Sequence, residues 1–241
     1  MEIDFRTWRP LLGSAVLVAG LVWLFQAPVE IQRALAAENR PIELATAFSF
    51  LAAMAVAAYA AAQASGALRW YLALWALLCL AFFGEETSWL QHMLHYETPS
   101  WMAGGNVRGE FNLHNLTMFH GGELVGTDFH WRSLLKAQHL FNLGFLAYFF
   151  GLPLLALGGA SRSLLLRLQI PCPGKRLAAC ALLPLAVSAV LTLLAPTHET
   201  KVTVAETREM VCALVILTFL LLAARAIAVR VPVHARASQA R

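Results

Sequence analysis

The chain has 241 residues, 59% of them hydrophobic and 13% charged, with a mean hydropathy of +0.62. That composition excludes a soluble domain of ordinary makeup. A net charge of +4 and an isoelectric point near 9.1 are accounted for by basic residues beside lipid head groups, so nucleic-acid binding need not be invoked.

Taken in chain order, six apolar runs lie near 11–27, 44–64, 70–93, 135–158, 177–195 and 210–229. Each approaches the roughly 20 residues a helix needs to cross hydrocarbon. The fold class read from them is all-α, an integral membrane bundle of about six transmembrane helices, with residues 1–241 as a single polytopic domain. A signal peptide is the alternative reading of the first run, because Arg6 and Arg9 precede it and Ala34-Leu35-Ala36 resembles a cleavage site. The long, charged stretch from Gln26 to Ala36 and the even helix count favour a retained anchor. The one long connection, 95–133, is rich in Gly, His and aromatic residues, the makeup of a lid, binding loop or re-entrant segment. Pro153 and Pro184 fall inside the fourth and fifth runs and predict kinks. None of the four cysteines pairs at a metal-like spacing.

With six spans the termini share a side. That side holds eleven of the eighteen Lys and Arg residues, four of them in the short 160–176 loop, and the other side seven, which orients the termini to the cytoplasm. Nearly all the carboxylates and histidines then face outward: of fourteen Asp and Glu only Glu2 and Asp4 do not, and of eight His only His234. Several of these groups sit in runs greasy enough to span, where ionisable side chains are costly and usually line a bundle interior or wet cavity.

The third run carries the densest chemistry, Gly84-Glu85-Glu86-Thr87-Ser88-Trp89-Leu90-Gln91-His92. On a continuing helix Glu85, Ser88, His92 and His95 share one face and Glu86 points about 100° away. An emerging helix accounts for the two histidines but not for two adjacent carboxylates directly after Ala81-Phe82-Phe83. In the loop, a helical turn over 109–116 would set Glu110 and His114 four residues apart, a pairing that suits metal ligation. His120, Glu123, Asp128 and His130 follow at irregular spacing. His139 and Asn142 share a face at the outer end of the fourth run, where polar side chains also serve simply to hold helices together. Before the sixth run, Thr203 and Glu206 fit a capping box, while Glu209 lies a turn deeper.

The strings FGEETSWLQHMLHYETP, GEFNLHNL and ETRE resemble a set of uncharacterised bacterial multi-pass inner-membrane proteins with the motifs GEExSWxQ, ETP, NLHNL and an acidic start to the last helix. That family has no settled activity. The resemblance covers mainly residues 83–116, the Asn142 region and 206–209, and implies emphasis on Glu85, Glu86, Ser88, Gln91, Glu97, Glu110, Asn112, His114, Asn115, Asn142, Glu206 and Glu209. A more distant similarity is to the alkaline ceramidase and adiponectin-receptor-like hydrolases, which hold zinc among transmembrane helices. This chain lacks the closely spaced His pair those hydrolases carry in the last helix.

Two functions are expected from this inventory. In the first, a divalent metal, zinc before others, is held by Glu85, Glu86, His114, His139 and Glu209. It activates water to cleave a membrane lipid or lipid-linked substrate, with Glu85, Glu86 and Ser88 as catalytic groups and Glu110, Asn112, Asn115, Asn142 and Glu206 as polar surroundings. In the second, the protein is a non-catalytic transport or assembly component whose buried polar residues relay protons or join helices.

Overall fold

The computed structural model describes residues 2–3, 9–36, 40–106, 109–113, 115–117 and 136–239. The architecture is an all-α bundle. Its helices are α1 (Arg9–Gln26), α2 (Val29–Ala36), α3 (Pro41–Gln63), α4 (Gly66–Glu86), α5 (Gln91–Leu94), α6 (Ser100–Ala103), α7 (Ala137–Leu146), α8 (Leu152–Leu155), α9 (Gly159–Arg167), α10 (Lys175–Leu194) and α11 (His198–Gln239). Five helical stretches are long and apolar enough to cross a membrane: Val29–Gln63, Gly66–Glu86, Ala137–Leu155, Lys175–Leu194 and His198–Val229. The first of the six expected runs is the shorter stretch Leu12–Gln26 within α1.

Close approach explains the packing order. On α3 the small residues Ala53, Ala57, Ala60 and Ala61 are all buried, and this stripe lets α4 and α11 lie against it on two sides. Helix α10 packs between α1 and α11, where Leu21, Leu191 and Val204 form a small core. A column of rings ties α7 and the turn after it to the centre: Phe82 meets Phe50 and Phe141 at 5.1 and 5.2 Å, and Phe149 meets Phe219 at 5.7 Å. Trp70 and Leu193 are 74% and 85% exposed, as apolar side chains on a lipid-facing wall are.

Three boundaries differ from those expected. The third span stops at Glu86 rather than 93. In the fourth, a π-helical turn at Ala147–Gly151 precedes Pro153; proline cannot donate to the carbonyl four residues back, and the widened turn accommodates that. Pro184, by contrast, sits inside an uninterrupted α10. The last helix begins at His198, not 210, so Thr203 and Glu206 are no capping box. The cap is Thr197, whose hydroxyl accepts from the Thr200 amide at 3.1 Å.

Next to that cap lies the fully buried Gln32 of α2. Its amide donates to the carbonyls of Leu24 and Ala27 at 3.1 and 3.0 Å, and its Oε1 accepts from Thr200 Oγ1 at 3.1 Å. One side chain thus satisfies the end of α1 and holds it to the start of α11.

Candidate functional site

Helix α4 ends because the chain reverses its handedness. Ser88, Trp89 and Leu90 have φ of 45°, 55° and 65°, three consecutive left-handed residues, none of them glycine, each costing roughly 1–3 kcal/mol. The turn folds Trp89 back onto Gly84, where any Cβ would come within 2.5 Å of the indole. The expected helical face of Glu85, Ser88, His92 and His95 is therefore broken at Ser88; it required a helix that does not continue.

What holds the strained turn is a buried polar knot. One oxygen of Glu110, Oε2, accepts from Ser88 Oγ, Asn112 Nδ2 and Asn115 Nδ2, each at 3.0 Å. Asn112 also donates to Ser88 Oγ at 3.0 Å, and its Oδ1 accepts from the Asn115 amide at 3.2 Å. Ser88, Asn112 and Asn115 are buried, so these bonds carry polar groups that water does not reach. Around the knot, Glu85 accepts from the Leu113 amide at 2.7 Å and from Trp89 Nε1 at 3.2 Å. Gln91 accepts from the Phe111 amide at 2.6 Å and donates to Thr98 at 3.0 Å, and Thr98 donates to the Gly109 carbonyl. Tyr96 donates to the Trp89 carbonyl at 2.9 Å, and desolvation moves its phenol above the ordinary tyrosine range. His92 Nε2 lies 3.5 Å from Glu110 Oε1.

A second grouping lies deeper. Glu86, about 100° round α4 from Glu85, is acted on electrostatically by Glu209, Glu206, Glu43 and Glu85, in falling order. Glu43 stands in the first turn of α3. Glu206 and Glu209 are one turn apart in α11, roughly 12 and 16 Å along the helix from His198. Carboxylates of α3 and α11 thus lie within electrostatic range of Glu86. Beside them, Arg208 has a buried Nε with no hydrogen-bond partner among the described residues, and it acts with Glu209 on Cys212.

The expected site thus divides in two. Glu85, Ser88, Glu110, Asn112 and Asn115 come together in the knot, and Glu86, Glu206 and Glu209 in the acidic cluster. His114 lies outside the described residues, as do His120, Glu123, Asp128 and His130. The segment around Glu110 is a series of bends, not the helical turn expected. His139 is exposed on α7, and Asn142 accepts from Gln138 of the same helix at 3.4 Å. Among the described residues no three His, Cys, Asp or Glu side chains are placed to hold one metal ion. Of the zinc set Glu85, Glu86, His114, His139 and Glu209, the four described residues lie apart: Glu85 in the knot, Glu86 and Glu209 in the acidic grouping, and His139 exposed on α7.

Sequence reasoning passed over Glu43 and Asn106. Glu43 follows Pro41 at a helix start, where a carboxylate has an ordinary reason to be. Asn106 Oδ1 accepts from the Gly109 and Glu110 amides at 2.9 and 3.3 Å, and the flanking glycines were the available signal for that turn.

Fold and site together define a multi-pass helical membrane protein with a braced loop and an acidic cluster at one end of its bundle. No protein-family model, curated protein or solved structure matches the chain.

Proposed function

We propose that the protein handles protons at the Glu86 cluster, as a membrane transport or assembly component does whose buried carboxylates relay them. The observation that supports this is the set of carboxylates from α3 and α11 within electrostatic range of Glu86 at the end of a spanning helix. Carboxylates within electrostatic range set one another's ionisation, which is what a site that takes up and releases protons needs. Glu206 and Glu209, one turn apart, offer a second and third station. In this reading the cluster lies at the outer face of a bacterial inner membrane with both termini in the cytoplasm, an orientation that the Lys and Arg bias supports.

The test uses full-length protein reconstituted in lipid. Infrared difference spectra across a pH step are expected to carry a carboxyl band that Glu86→Gln removes, together with the proton uptake that accompanies it. Stoichiometric divalent metal in the purified protein, lost in the same variant, would overturn this reading in favour of a metal-dependent lipid hydrolase.

A hydrolase without a metal draws on a different observation. A depression of about 250 Å³ is lined by Trp89, Trp101, Met102, Phe111, Asn112 and Leu113, and Asn112 donates to both Ser88 and Glu110. In this second reading the depression opens to admit an acyl ester: Glu110 takes the Ser88 proton as Oγ adds to the carbonyl, returns it to the alcohol as the ester C–O bond breaks, and water then hydrolyses the acyl-Ser88. A fluorophosphonate probe would then label the wild type and not Ser88→Ala. An unlabelled wild type removes this reading.

A further inference from the structure

Helix α4 turns one apolar stripe outward from the bundle. Trp70, Leu74, Leu77 and Leu78 are all exposed on it, and at 100° per residue Glu85 falls within the same arc, between Leu74 and Leu78. Glu85 accepts from Trp89 Nε1 at 3.2 Å and from the Leu113 amide at 2.7 Å. Both ends of the braced loop are thus fastened on the lipid-facing side of α4. They sit at its last turn, because the Trp89 indole lies against Gly84 and the membrane-crossing stretch ends at Glu86.

The surface the loop presents there is apolar. Trp89, Trp101, Phe111 and Leu113 gather round one shallow depression, with Trp101 73% and Leu113 50% exposed. Trp101 stands edge-on to Phe111 at 6.3 Å, and Phe111 edge-on to Tyr96 at 6.0 Å, so the rings support one another. Between Arg69 and Arg108 the chain has no Lys or Arg, so the stretch from α4 through α6 brings no cation to a head-group phosphate. Exposed apolar patches of this kind mark contact surfaces, and indoles at the hydrocarbon boundary are in their preferred place.

We propose that Trp89, Trp101 and Leu113 form a lipid-contacting platform. It continues the outward stripe of α4 and is seated among the upper acyl chains of the leaflet at that end of the bundle. Contact comes from buried apolar area and not from charge. The platform does not depend on what the Glu86 cluster does.

The test is tryptophan quenching in full-length protein reconstituted in phosphatidylcholine, with and without bromine on the upper acyl chain. The emission of Trp101 is the difference between wild type and Trp101→Phe, and Leu113→Trp supplies a second indole on the same face, read against wild type. Both signals are expected to fall roughly twofold or more in the brominated lipid and to change little with aqueous acrylamide. Adding phosphatidylglycerol is expected to leave the quenching as it was. Quenching by acrylamide and not by the brominated lipid would put the face in water. Quenching by neither would put it under protein, whether a second copy or another part of this chain, and quenching only with phosphatidylglycerol would make the contact electrostatic. Each of these three results overturns the proposal.

Discussion

Glu110 gathers three donors on one oxygen, and that makes it the residue on which the loop's attachment turns. Hydrogen bonds to a charged acceptor contribute roughly 1.5–3 kcal/mol each, more than neutral ones. Glu110→Gln removes the charge and brings an amide donor toward a place already full of donors. The expected outcome is a loss of about 2–4 kcal/mol in the loop's attachment, read as faster proteolysis between 95 and 117 while the spans stay folded. Tyr96 adds a pH dependence. Its folded-state value is raised, so the folded protein holds the phenol proton more tightly than the unfolded chain does. The stabilisation is fully present below the unfolded value near 10 and is lost as pH rises through the folded value. Proteolytic protection of this turn is therefore expected to fall in strong alkali in the wild type, and not to show that step in Tyr96→Phe.

At the level of elements, two junctions decide how helices end. Gly84 admits the indole of Trp89, and that contact holds the left-handed turn against its strain. Gly84→Ala forces the ring away, at about 1–3 kcal/mol by the usual cost of overpacking. It is expected to lower the unfolding midpoint and to shift Trp89 emission toward that of an exposed indole, a signal isolated by comparison with Trp89→Phe. The second junction is Gln32. Gln32→Leu leaves the Ala27 carbonyl without its side-chain donor and removes one bond each from the Leu24 carbonyl and the Thr200 hydroxyl. A buried group so stranded costs about 1–3 kcal/mol, so a clear drop in thermal midpoint is expected, whereas the exposed neighbouring pair Arg33–Glu199 is expected to matter little when removed.

For the whole molecule the open matter is which way the bundle sits. The proposed orientation makes a direct expectation for cysteines placed at exposed positions: Gly104→Cys and Lys201→Cys react with an impermeant reagent from outside intact cells, and Leu168→Cys does not. The reverse pattern would put the acidic cluster on the cytoplasmic side. Either result leaves the architecture unchanged, because α3, α4 and α11 are joined by small residues and aromatic rings, not by the membrane's sidedness.

The amino-acid sequence alone determined the class of this protein. Long apolar runs leave a helix as the only way to satisfy backbone groups in lipid, so the all-α class and the rough place of most spans were legible, though five stretches and not six are long enough to cross. So was the stretch 85–116 as a polar concentration, since charged residues beside Ala81-Phe82-Phe83 have no cheap explanation. Tertiary structure decided how those residues divide. Whether α4 continues past Glu86 depends on Trp89 finding the gap at Gly84 and on Glu110 reaching Ser88 from 22 residues away, and neither contact leaves a mark in local periodicity. The same holds for Glu43: its role as a neighbour of Glu86 exists only because the small face of α3 lets two other helices come close. Local pattern records which face a residue takes; which partner meets that face is set by packing between distant segments.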